Sequence, residues 1–131
     1  MLSKGTCESF SKTITEGDVN LFAGITGDFN PLHINEEEAK KTVFKSRIAH
    51  GMLTGSLIST VIGTKMPGPG TIYLEQNLKF IKPVYINDTV TAIVKVTDII
   101  NVEKGIYRLE TIIMNSKGEI VTEGYAIVKY K

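Results

Sequence analysis

Apolar and polar positions repeat along this chain with two different periods, helical from about Glu16 to Met66 and every second residue beyond Gly70. The first stretch, Glu8-Ser9-Phe10-Ser11-Lys12-Thr13-Ile14-Thr15, is rich in hydroxyls and sparse in apolar residues, which predicts a short edge strand. Thr15 followed three residues later by Asp18 matches a helix-capping pair. Val19, Phe22, Ala23 and Ile25 then form an apolar stripe, predicting a helix over residues 16–26. Asn35 with Glu38, and acids ahead of Lys40 and Lys41, predict a second helix that is short and solvated. A third, from His50 to Gly63, has no charged residue before Lys65 and is therefore expected to be buried. Its small residues, Gly55, Ser56, Ser59, Thr60 and Gly63, would let a sheet approach its axis.

Met66-Pro67-Gly68-Pro69-Gly70 ends that helix and is too short to link two domains. Beyond it, Ile72, Leu74, Leu78 and Phe80 alternate with Tyr73, Glu75, Asn77 and Lys79, the pattern of a strand buried on one face, until Pro83 stops it. The alternation returns in Val90, Ala92, Val94 and Val96, in Tyr107, Leu109, Thr111 and Ile113, and in Ile120, Thr122, Gly124, Ala126 and Val128. Asn115-Ser116-Lys117-Gly118 reads as a hairpin turn and Asn101-Val102-Glu103-Lys104-Gly105 as a looser one. Antiparallel strands following one buried helix predict an α+β fold in which a sheet curls around that helix.

The length of 131 residues suits one domain over residues 1–131. Fifteen Lys and Arg against fourteen Asp and Glu leave a net charge of +1 with no basic cluster, so nucleic acid is not an expected partner. A single cysteine, Cys7, offers neither an internal disulfide nor a thiolate metal cluster, which points to a reducing, cytoplasmic setting; Cys7 itself is read as a minor packing residue. The first residues lack the apolar core of a signal peptide, and no apolar run is long enough for a membrane span.

Candidate chemistry gathers in Gly27-Asp28-Phe29-Asn30-Pro31-Leu32-His33. Pro31 fixes its own φ and keeps Asn30 out of the helical region, so the segment is expected to be a bent loop. Such a bend can turn the Asp28 carboxylate and the His33 imidazole toward one water and divide base and acid duties between them. It is equally the composition of an ordinary helix exit with a surface histidine. Gly51, at the start of the long helix, exposes backbone N–H groups at the positive end of a dipole. His50 is expected to bond the local backbone, and Ser59 to pack and bond its own helix. Lys79, Lys82 and Arg47 read as solvated charges.

The two motifs Gly27-Asp28-Phe29-Asn30-Pro31-Leu32-His33 and Ala49-His50-Gly51-Met52-Leu53, in that order, resemble the signature of the (R)-specific enoyl-CoA hydratases of the MaoC-like dehydratase family. The likeness extends through Pro67-Gly68-Pro69-Gly70-Thr71-Ile72-Tyr73-Leu74 and Leu78-Lys79-Phe80-Ile81-Lys82-Pro83-Val84. It implies a hot-dog fold, a long helix wrapped by an antiparallel sheet, assembled as a homodimer or higher homo-oligomer. It also implies hydration of a trans-2-enoyl-CoA to the (R)-3-hydroxyacyl-CoA, and the reverse dehydration, as part of fatty acid metabolism. Asp28 and His33 would hold and activate the water, the Gly51 N–H would polarise the thioester, and Asn30 and Ser59 would support them. No metal or cofactor is implied, coenzyme A being part of the substrate. Which of the pair is the base stays open, as do acyl length and a carrier-protein thioester in place of coenzyme A. The rival readings are a hot-dog thioesterase and a non-catalytic acyl-binding domain, the latter expected to lack Asp28 or His33.

Overall fold

A computed structural model describes residues 1–131. Its first element, strand β1 (Cys7–Thr13), leads into helix α1 (Glu16–Thr26), which Thr15 and Asp18 open by a reciprocal capping box. Gly27 closes α1 in the left-handed region at φ 80°, its N–H donating to the Ala23 carbonyl, and so frees Asp28 from the helix. Two single-turn helices follow, α2 (Pro31–Ile34) and α3 (Glu36–Ala39), before the long helix α4 (Gly51–Thr64). Strands β2 (Ile72–Phe80), β3 (Thr89–Asn101), β4 (Ile106–Asn115) and β5 (Ile120–Lys129) complete one antiparallel sheet in the order β1-β3-β4-β5-β2.

Helix α4 lies on the inner face of this sheet. Leu57, Ile58, Val61 and Ile62 meet Val90, Ala92, Val94, Val96, Leu109, Ile113, Ala126 and Val128 in one core, the last eight being strand positions chosen by period-2 alternation. Gly55 is needed where β2 crosses: a Cβ there would stand 3.0 Å from Leu78.

Four expectations change. First, α4 is buried along one face only; Met52, Ser56, Ser59 and Gly63 face outward, because the sheet covers a single side of the helix. Second, β2 does not bury an apolar face: Ile72, Leu74 and Phe80 are each about half exposed, because the strand is a sheet edge with a register shift between Tyr73 and Glu75, and only Leu78 packs on the core. Third, Ile113 pairs with Thr122 but Met114 with Ile120, leaving Val121 as an extra residue; the bulge reverses the phase, burying Val121 and turning Ile120 out. Fourth, Cys7 is exposed, and Ile25 at 74% exposure leaves the α1 stripe to Val19 and Ala23.

Candidate active site

The residues from Gly27 to His33 form a bend followed by one helical turn, rather than a loop throughout. Asn30, at φ −50° and ψ 123°, caps α2 by accepting the Leu32 N–H at 3.1 Å, and Pro31 takes the first helical position, where its missing N–H costs nothing. His33 thereby becomes the third residue of a fixed turn and points inward, 9% exposed.

Three bonds hold His33. Its N–H donates to Asn30, its carbonyl accepts the Arg47 Nε–H at 2.7 Å, and its Nδ1 lies 2.7 Å from the Ile48 carbonyl oxygen. A carbonyl only accepts, so Nδ1 carries the hydrogen and Nε2 keeps its lone pair. Burial pushes the imidazole below its ordinary pKa, and the neighbouring His50 acts in the same direction. The Ile48 bond and the Asp28 charge oppose them without prevailing.

Asp28 sits opposite on the exposed bend, its Oδ1 accepting the Asn30 N–H at 3.1 Å and its own N–H donating to Thr26 Oγ1 at 3.2 Å. Ligand atoms of Asp28, His33 and His50 all lie within 4.8 Å of one another. Two hydrogen bonds of about 2.8 Å meeting at one water oxygen span roughly 4.6 Å, so this spacing suits a water shared between carboxylate and imidazole.

Gly51 joins the group as the first residue of α4. Its N–H has no intrahelical acceptor, and the capping residue His50 makes no side-chain bond to the helix end. Asp28, His33 and Gly51 line one pocket of about 350 Å³. His33, Gly51 and Met52 also border a second chamber of about 350 Å³, walled by Phe44, Ile48, Phe80 and Val84. The site is thus a pocket with Asp28 and two histidines in its wall, sharing His33, Gly51 and Met52 with a largely apolar one.

Other sequence-picked residues fall elsewhere. Asn30 is spent on capping and on Asp28. Ser59 sits two turns along α4 from Gly51 on the outward face and borders neither pocket. Arg47, expected to be solvated, is 8% exposed and fully engaged with Glu16 (2.8 Å), Asn20 (3.0 Å) and the His33 carbonyl, while Lys82 pairs with Glu119. His50 bonds no local backbone; its Nε2 lies 3.0 Å from the Asp28 carbonyl oxygen, 22 positions away. Phe80, read from the alternation only as a buried strand position, instead belongs to the site: its place at the strand end brings its ring over Gly51, where a Cβ would stand 2.8 Å from it.

Comparison with known proteins agrees with this geometry. Residues 4–116 match the MaoC like domain family. The chain is 50% identical to an (R)-specific enoyl-CoA hydratase of Rhodospirillum rubrum over 97% of its own length and 87% of the relative's. It is 44% identical to a 3-hydroxybutyryl-CoA dehydratase of Methylorubrum extorquens over 98% of this chain and 80% of that one. The solved structure of an (R)-hydratase from A. caviae superposes with a TM-score of 0.95 at 41% identity, covering 99% of this chain and 98% of that one. With its fold, its two motifs in order and its helix-end pocket, this chain belongs to the MaoC-like domain family.

Proposed function

We propose that this protein adds water to a trans-2-enoyl-CoA thioester to give the (R)-3-hydroxyacyl-CoA, and catalyses the reverse dehydration, without metal or cofactor. The observation that carries this reading is that Asp28, His33 with its Nδ1 taken by Ile48, and Gly51 at the first position of α4 line one pocket, beside a second walled largely by apolar residues. The names of the relatives, an enoyl-CoA hydratase and a hydroxybutyryl-CoA dehydratase, support the same substrate class.

In the reaction, the apolar chamber receives the apolar part of the thioester and the water lies between Asp28 and His33. Asp28 accepts a hydrogen bond from one O–H of the water and orients it, and that hydrogen stays on the oxygen. His33 Nε2 removes the other proton as the oxygen bonds to C3, and the electron pair of the double bond passes to the thioester oxygen as an enolate. The Gly51 N–H, at the positive end of α4, stabilises that oxyanion. His33 then returns its proton to C2 on the same face, giving syn addition, and microscopic reversibility makes the same groups dehydrate the product. Asn30 supports the site by fixing the Asp28 carboxylate and capping α2. Ser59 borders neither pocket, so no support role is proposed for it within this chain.

A homodimer fits the unpaired edge of β2, its half-exposed Ile72, Tyr73 and Leu74, and the outward stripe of α4. A cytoplasmic setting fits the lone exposed thiol; no helix is long and apolar enough to cross a membrane.

The test is incubation with crotonyl-CoA and longer 2-enoyl-CoA esters in metal-free buffer, following loss of the enoyl absorbance and the chirality of the product. An (R)-3-hydroxy ester is expected. Release of free thiol with the double bond intact, or a purely (S) product, would overturn the reading.

A further inference from the structure

We infer that His50 is a positioning residue: its Nε2–H tethers the Asp28 backbone to the start of α4 and so sets the distance between the Asp28 carboxylate and His33. The inference rests on the reading of Asp28 and His33 as the reacting pair.

Asp28 has three anchors. The Thr26 hydroxyl on its N–H ties it to the last turn of α1, and the Asn30 N–H on its carboxylate ties it to the cap of α2. Neither reaches α4. The third is the His50 Nε2–H donated to the Asp28 carbonyl, and it alone reaches from the bend to the helix that carries Gly51. His50 is itself placed without freedom. It is 2% exposed, its ring centroid is 4.0 Å from that of His33 and 4.9 Å from that of Phe22, and its chain neighbour Ala49 is pinned by its N–H to the Val84 carbonyl at 2.7 Å. The ring therefore fixes two things at once, stacking on the His33 imidazole while holding the Asp28 backbone. Its other nitrogen, Nδ1, is buried with no partner, which leaves the Asp28 carbonyl as the one polar contact the imidazole makes.

Since the Asp28 carbonyl only accepts, Nε2 carries a hydrogen and donates it. The ring is thus a donor toward the bend. It does not reach substrate in this arrangement, because Nε2 is taken by backbone and Nδ1 is buried.

Three substitutions separate tethering from packing. His50→Phe keeps the stacked ring and removes the donor; His50→Gln places an amide N–H near the reach of Nε2; His50→Asn carries its amide too close to the backbone to reach Asp28. His50→Phe and His50→Asn should lower kcat for crotonyl-CoA hydration by about 10²-fold, the usual cost of an ångström of misplacement, with KM little changed. His50→Gln should recover most of that loss. In an Asp28→Asn background the same substitutions should cost little more, since the group they position is already gone. Hydrogen–deuterium exchange of the peptide spanning residues 27–33 should quicken in His50→Phe and His50→Asn but not in His50→Gln, and this reads the tether whatever reaction the protein catalyses. Equal rates and equal exchange for Phe, Asn and Gln would overturn the inference, as would losses that multiply undiminished with Asp28→Asn. Quickened exchange in a protein that does not hydrate enoyl thioesters would instead keep the tether and remove the hydratase reading.

Discussion

The Nδ1 of His33 and the carbonyl oxygen of Ile48 stand 2.7 Å apart, and this one bond selects the tautomer of the buried imidazole. Ile48 is in turn held by its N–H to the Leu32 carbonyl at 3.4 Å and by a bridge to Tyr85. The acceptor is therefore backbone locked on two sides, which leaves Nε2 with the lone pair that the proposed reaction uses as its base.

A pH dependence follows from the burial of His33, which holds its pKa below the ordinary 6.5. Hydration by a neutral imidazole should be constant through neutral pH and decline only as pH falls through the lowered folded value. Stability has the same sign: the unfolded chain binds this proton more readily than the native one, so the native state weakens as pH drops from 6.5 toward the folded value and is unaffected above. A profile of kcat/KM against pH, with melting temperatures along the same series, checks both. His33→Gln should flatten this part of the melting profile.

Asp28→Asn and His33→Gln should each lower kcat by about 10²–10⁴-fold, the range for a lost acid–base group, and alter KM far less. In the proposed reaction both hold one water, so the double variant should cost little more than the worse single one. Steady-state kinetics on the four proteins decides; losses that multiply would show that the pair does not share a step.

Gly51 is tested by comparing alanine with proline, which share a Cβ and differ in the backbone N–H. Either side chain meets the Phe80 ring, so the pair belongs in a Phe80→Leu background, where the half-exposed ring is gone. There Gly51→Ala should turn over close to its parent, whereas Gly51→Pro, allowed at a first helical position, should lose about 10²–10³ in kcat, as expected for one oxyanion donor. In the native background Gly51→Ala should also lose activity, because Phe80 must swing aside. Kinetics with melting curves for each variant separates a lost donor from a lost fold.

Arg47 ties α1 to the turn that carries His33 through Glu16, Asn20 and the His33 carbonyl. Arg47→Lys cannot span all three acceptors and should lower unfolding free energy by about 2 kcal/mol, the scale of charged hydrogen bonds lost from a buried donor. Glu16→Gln should be mild, since the Glu16 side chain is 65% exposed and its pairing is screened. Denaturant titrations of both variants give the comparison.

What the sequence by itself determined is whatever depends on neighbours within one turn or one strand. The capping box of Thr15 and Asp18, the Asn35 cap, the freeing of Asp28 behind Gly27, the alternation of Val90 to Val96 and the hairpin at Asn115 are local, and each stands where the spacing puts it. The motif also marked Asp28, His33 and Gly51 as candidates, because their residue types and their places at a bend and a helix start already carry the chemistry. The tertiary structure decided everything that depends on which surfaces meet. The outward face of α4 and the bare edge of β2 follow from sheet order, which period-2 alternation does not encode. The burial of Arg47, the tautomer of His33 set by Ile48, the ring of Phe80 over Gly51 and the bond from His50 to Asp28 each join residues 14 to 31 positions apart. Over such separations hydrophobic periodicity carries no register: the partner of a side chain is fixed by how whole elements pack, and a histidine in front of a helix looks the same whether it bonds its own turn or reaches across to hold an acid in place.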